Sequence, residues 1–200
     1  ANKDSVVRSK QFSVTIVGKP NQVYHLWVKG TNTMSGGYDD EPPMLVANQA
    51  GVYADTFVSA TDTSLPGLAG SYVFQNSGTI FADVAHGTYA TSNGVLTDYR
   101  TRLGNGTYLY ANVTLDTKGS RTVAFSTSNW TKAQKYTIRV ENDFGTATVH
   151  DYKSDEVDVK VEKGAVTIVA AGDQSYYLGE EIKFSGTNTE SQTTYLFISG

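Results

Sequence analysis

The 200-residue chain predicts an all-β protein built from antiparallel sandwiches, and three observations carry this reading. No stretch of about 12 residues holds apolar positions at helical spacing, so a helical core has no sequence to build it. The composition, 13 Tyr and 19 Gly against 2 Met with abundant Thr, Ser and Val, favours the residue types that fit a pleated, half-buried surface. The stretch from Gln11 to Gly30, QFSVTIVGKPNQVYHLWVKG, also returns in degraded form as EEIKFSGTNTESQTTYLFISG, from Glu180 to Gly200. Setting Gly18 against Gly186 places Val14 and Ile16 opposite Ile182 and Phe184. Setting Gly30 against Gly200 places Leu26, Trp27 and Val28 opposite Leu196, Phe197 and Ile198. Each copy predicts a hairpin of two strands about a polar Gly-Asn turn, one unit used twice. The competing account is a chance match of two amphipathic strands.

Taken in order, residues 1 to 10 are a polar lead-in with a short edge strand at Ser5 to Val7. In the first hairpin Phe12, Val14 and Ile16 share one face, as do Tyr24, Leu26 and Val28, because successive strand side chains point to opposite sides. These rows should face a core. Gly18, Pro20 and Asn21 supply the turn. From Thr31 to Gly70 the alternation lapses, and so long a connection is usually functional or an interaction surface. Ser71 to Phe74 and Thr79 to Val84 read as strands about a Gln75 to Gly78 turn, and His86 to Arg102 as a second irregular insertion. Thr107 to Leu115 has the cleanest pattern: Leu109, Ala111, Val113 and Leu115 lie on one face, and Tyr108, Tyr110, Asn112 and Thr114 on the other. Arg121 to Ser126 puts Val123 and Phe125 inward. Thr131 to Gln134 reads as one helical turn before the strand Lys135 to Glu141, where Tyr136, Ile138 and Val140 alternate with polar neighbours. A turn at Asp143-Phe144-Gly145 leads to strands at Thr146 to Tyr152 and Ser154 to Glu162, the latter with Val157, Val159 and Val161 inward.

Lys163-Gly164 reads as a linker, which divides the chain into a sandwich over 1–163 with long loop insertions and the start of a second, incomplete β domain over 164–200. A second piece of roughly 36 residues cannot bury enough apolar surface to fold alone. Truncation of a longer protein is the favoured explanation; packing on the first module and completion of an open edge by a neighbouring chain are the others.

Charge and cysteine content narrow the function classes. A net charge of -4 and a pI near 5.3 provide no basic field for phosphates, which argues against a nucleic-acid partner. No apolar run approaches the roughly 20 residues that cross a bilayer, so no membrane contact is expected within this segment. The absence of cysteine excludes thiolate metal sites and cysteine nucleophiles. The start at Ala1-Asn2, without initiator methionine or apolar leader, fits a mature product after signal removal or an expressed fragment.

The candidate sites are weighed against simpler readings. Sequons stand at Asn105-Gly106-Thr107, Asn112-Val113-Thr114 and Asn129-Trp130-Thr131, in a Gly-rich turn, on an outward strand face and before a corner, where glycans could sit outside a core. Thr-rich chains also produce sequons by chance. Asp39, Asp40 and Glu41 are candidate Ca²⁺ ligands, but the run lacks the ligand spacing and turn glycine of known calcium loops, which favours a solvated acidic loop. Asp155, Glu156 and Asp158 form a second cluster with the same ambiguity. His25, His86 and His150 match no zinc pattern, and no Gly-x-Ser-x-Gly elbow is present. No catalytic residue, metal ligand or cofactor site is assigned, with Ca²⁺ the one cofactor left open, and the chain is not expected to be an enzyme. Trp27 could stack on sugar or on a neighbouring subunit, although burial under residues 31 to 70 is the simpler account.

Three stretches together carry a resemblance: FSVTIVGKPNQVYHLWVKGT followed by MSGGYDDEPPMLV, GSYVFQNSGTI, and TYLYANVTLDTKGSRTVAFSTSNWTKAQKYTIRVE. They resemble the N-terminal domain of the large surface-layer (S-layer) proteins of methanogenic archaea over about residues 5–163, with longer insertions at 55–70 and 86–102. The resemblance implies tandem immunoglobulin-like sandwiches in an exported, glycosylated structural glycoprotein. Such a protein sits outside the cell membrane and associates with identical subunits into a cell-wall lattice. The alternative is an extracellular adhesin or carbohydrate-binding module.

Overall fold

A computed structural model describes residues 1–54, 74, 78, 80–84, 88–90, 96–98, 109–145, 149–173, 175–190 and 193–199. The strands are β1 (Ser5–Val7), β2 (Gln11–Val17), β3 (Val23–Lys29), β4 (Met44–Leu45), β5 (Val52–Ala54), β6 (Thr88–Ala90), β7 (Leu96–Asp98), β8 (Tyr110–Thr114), β9 (Ser120–Ser126), β10 (Lys135–Asp143), β11 (Tyr152–Glu162), β12 (Val166–Ala170) and β13 (Phe184–Asn188). The helix α1 (Ile80–Asp83) is a single turn. The protein is all-β with almost no helix, as expected, and its sheets are compatible with a β-sandwich.

A six-stranded sheet runs β1-β11-β10-β3-β8-β5 and a three-stranded sheet runs β2-β9-β4. All the pairings are antiparallel except β1 with β11, where Val6 lies opposite Val161. The core lies where the inner faces meet: Leu26, Val28, Ile138, Val159 and Val113 belong to the same buried cluster as Phe12, Val14, Ile16, Val123 and Phe125. Phe12 and Phe125, register partners across β2 and β9, stack at 5.1 Å. The alternating rows of the sequence therefore face the core as predicted.

The expected first hairpin is not one. β2 pairs with β9 and β3 with β10 and β8, so the two strands belong to different sheets. Residues 18–22 form an arch from one sheet to the other. Gly18 donates its amide to the Gly119 carbonyl at 2.8 Å, and Asn21 donates to Asp116 at 3.2 Å. The 18–22 arch thus packs beside the 115–119 link, which makes the same crossing between β8 and β9. Gly119 has φ +74°, and a Cβ there would stand 2.3 Å from the Gly18 oxygen, so this position requires glycine.

The two copies of the repeated stretch also differ in shape. Gly18 follows β2, whereas Gly186 lies within β13, and residues 193–199 carry no strand. β12 and β13 form a separate two-stranded sheet after Lys163-Gly164. The Thr79 to Val84 strand is replaced by α1. Ile80 and Val84 are buried while Ala82 between them is exposed; a four-residue spacing fits both a strand and a helix, and only the exposed middle residue separates them. Thr131 to Gln134 makes a bend with a bridge from Thr131 to Glu41 rather than a helical turn. Among the described residues, the irregular stretches contain four short strands, β4 to β7, that their weak alternation hid. Most of Ser71 to Phe74 and residues 146–148 lie outside the described residues.

Candidate functional site

Trp27 lies on the outer face of the six-stranded sheet, in register between Arg139 and Tyr110. It is nonetheless fully buried. Its Nε1 donates to Asp83 Oδ2 at 2.9 Å and its ring meets Phe74 at 5.2 Å between centroids. The cover contains Phe74 and the α1 turn with Ile80 and Val84, and it ties back to the chain after β3 through Thr31, whose amide donates to the Asp83 carbonyl. Burial of Trp27 is thus as expected, but these residues of the cover lie beyond the 31–70 stretch that was expected to supply it; residues 55–73 lie outside the described residues.

The neighbouring part of that face is charged. Arg139 donates to the fully buried Glu141 and to Glu156, and Lys29 reaches Glu156 at 2.8 Å. Hydrogen bonds from Lys29 and then Arg139 lower the Glu156 pKa. His25 stands in register between Glu141 and Asn112. Burial lowers its pKa below 6.5, outweighing the hydrogen bond with Asn112 and the Glu141 charge, both of which raise it. The unfolded chain therefore binds a proton at His25 first as pH falls. Stability contributed by this residue is complete above pH 6.5 and is lost below it, by at most about 1.4 kcal/mol per pH unit. Melting temperature should start to fall just below pH 6.5, before the carboxylates titrate, and His25→Gln should flatten that first decline.

The acidic run does not converge. Asp39 pairs with Arg8 and, at 3.0 Å, with Lys163. Asp40 accepts from the Ser35 amide, the Ser35 hydroxyl and Lys132; its burial opposes ionisation, but these bonds prevail and its pKa is lowered. Glu41 is buried and accepts from Ser128 Oγ at 2.7 Å. In the second cluster Asp158 binds Lys135 and Thr137 while Glu156 binds Lys29 and Arg139. No group of three His, Asp or Glu side chains placed to hold a metal occurs among the described residues. His150 is exposed against Asp143 and Tyr152; His86 and Asn105 lie outside the described residues.

Asn112 is on the outward face, as its strand pattern requires, but between His25 and Tyr53 in the middle of the sheet it is half-buried, with an inaccessible Oδ1. A glycan there would have to displace its neighbours. Asn129 is exposed, on the turn closed by Ser128 and Thr131.

Two further features were not among the predicted sites. Arg8, 2 % exposed, joins Asp39 of the first insertion to Glu190 beyond β13, the latter at 3.4 Å. This clasp borders a cleft of about 1220 Å³ whose walls include Lys3, Lys10, Tyr38, Asn129, Asn188 and Glu190. The second feature is an open apolar surface. On the β12–β13 ribbon, register places Val166, Ile168, Ala170 and Phe184 on one face. Val166, Ile168 and Phe184 are exposed, as are Leu196, Phe197 and Ile198, and the groove between the ribbon and residues 194–197 measures about 480 Å³.

No protein-family model matches the chain, and no curated protein matches it.

Proposed function

We propose that the chain is a structural subunit of a glycosylated extracellular surface layer, built from tandem immunoglobulin-like sandwiches that associate into a cell-envelope lattice. The observation that carries this reading is the open apolar face of the β12–β13 ribbon. A ribbon of two strands is marginal by itself, and its contiguous exposed apolar face calls for a cover from further protein, the remaining strands of its own domain or another subunit. The immunoglobulin-like assignment is supported by strand order. β3-β10-β11 faces β2-β9-β4, as strands C-F-G face B-E-D in that sandwich. Trp27 departs from the pattern by pointing away from the opposite sheet, and there is no cysteine to form the inter-sheet disulfide. Residues 1–163 are the first such domain in this proposal and 164–200 the start of the next, and neither an enzymatic role nor a metal is required.

The test is assembly of the purified protein. Ile168→Asp with Phe184→Asp places two carboxylates in the apolar face without touching the sandwich core. Sedimentation should show wild-type protein in large assemblies at high concentration and the double variant restricted to single particles with an unchanged melting temperature. Equal sedimentation of the two proteins would contradict the proposal. The alternative, an adhesin or carbohydrate-binding module, draws support from Tyr38, an exposed aromatic ring on the wall of a cleft that also carries polar groups.

A further inference from the structure

The cleft beside the Arg8 clasp and the sequon at Asn129 occupy the same place, and no lattice reading explains why. Asn129 lies on the cleft wall, and among the described residues no protein group hydrogen-bonds its side-chain amide. Tyr38 stands on the same wall, 70 % exposed, its ring held edge-on against Trp130 at 6.1 Å. Trp130 is the middle residue of the sequon, so the aromatic pair is anchored beside the attachment point. The remaining wall is mixed: Val6 and Val7 of β1 contribute apolar surface, and Lys3, Lys10, Asn188, Thr189 and Glu190 contribute polar groups.

A saccharide complements this combination. A sugar ring presents a face of C–H bonds that packs on an aromatic ring and a rim of hydroxyls that both donate and accept hydrogen bonds. Tyr38 supplies the first surface. Lysine ammonium groups, amides, a hydroxyl and a carboxylate supply the second. A volume of about 1220 Å³ accommodates several sugar residues, since sites for drug-sized ligands run from about 300 to 1,000 Å³.

We propose that the cleft is a saccharide site and that its occupant is the glycan carried on Asn129 itself, which lies across the junction and bridges the sandwich to the segment around Asn188–Glu190. The proposal rests on the glycosylated exterior proposed above and deepens it. Attachment makes weak contacts sufficient, because a tethered ligand meets its site at an effective concentration near the millimolar range. The sequon threonine adds an order of events. Thr131 is fully buried, and its hydroxyl accepts the Ser128 amide at 2.9 Å, so the sugar is added before this turn closes.

The experiment compares native glycoprotein, Asn129→Gln and Tyr38→Ala, all produced in the native host, by glycopeptide mass spectrometry and amide hydrogen exchange. The native protein should carry a glycan at Asn129. Its amides in Ser5–Val7 and Asn188–Glu190 should exchange about tenfold more slowly than in Asn129→Gln. Tyr38→Ala should keep the glycan and lose the slowing. Oligosaccharide released from the native protein, added at millimolar concentration to Asn129→Gln, should restore part of it. An unmodified Asn129, or a modified one without slower exchange, overturns the proposal. An unmodified Asn129 combined with slowing by added oligosaccharide assigns the cleft to sugars of another molecule, and also overturns it. Sedimentation of the same proteins reads the lattice proposal separately, so a native glycoprotein that exchanges no more slowly than Asn129→Gln while assembly is intact sinks this inference alone.

Discussion

Trp27→Ala should lower stability by about 3–5 kcal/mol, the usual cost of emptying a large aromatic site, and melting temperature by about 6–20 °C for a chain of this size. The size follows from what the indole does. It is fully buried on the outer sheet face, where its neighbours among the described residues include Phe74, Tyr110, Arg139 and the α1 turn, and its Nε1 holds Asp83. Removing it leaves the cover without its anchor, so proteolytic cleavage within residues 74–84 should accelerate while the inner core between the sheets stays closed. Trp27→Phe, which keeps most of the apolar area and loses the Asp83 bond, should cost clearly less. Equal losses for the two variants would show that the cover does not depend on the indole.

The second large effect is expected at Arg139. Its guanidinium is 13 % exposed and is paired with Glu141, whose side chain is fully buried. Removing one partner of a buried pair takes the counter-charge from the other, at about 3–5 kcal/mol. Arg139→Met should therefore be strongly destabilising, whereas Arg139→Met with Glu141→Leu should recover most of the loss, because replacing both charges by apolar groups of similar volume is often neutral. Urea unfolding of the two variants checks this. A double variant no more stable than the single one would mean that Glu141 is held by groups other than Arg139. The guanidinium also lies 5.7 Å from the Trp27 ring, so Trp27→Ala and Arg139→Met should not add; neighbours in contact couple by about 0.5–3 kcal/mol.

What was legible in the sequence is the local pattern. Alternation identified β2, β3, β8, β9, β10 and β11 and the faces they bury, because a two-residue period is a property of the strand alone. It did not identify partners. Phe12-Val14-Ile16 and Tyr24-Leu26-Val28 read equally well as one hairpin or as strands of opposite sheets, and the choice was made by an arch packed on Gly119, about a hundred residues away. Similarity between Gln11–Gly30 and Glu180–Gly200 was likewise a similarity of pattern: β2 is covered by a second sheet, while the described part of the later copy pairs only with β12.

The candidate site was less legible, for the same reason. Asn112 was correctly placed on the outward face, but its half-burial comes from His25 and Tyr53 on the neighbouring strands. Asp39 read as a solvated acid because nothing near it in the chain reveals Arg8. The Arg8 to Glu190 contact spans 182 positions, and no local signal could announce it. The juxtaposition of Tyr38 with Trp130 and Asn129 has the same origin, since the first insertion and the corner before β10 meet only in the folded chain.

The most direct test of the lattice account is electron microscopy of the native envelope with this chain marked by a bound antibody fragment. An ordered two-dimensional array carrying the label at one position in every repeat is the predicted result. Label confined to scattered single molecules, or found on no array at all, would contradict it.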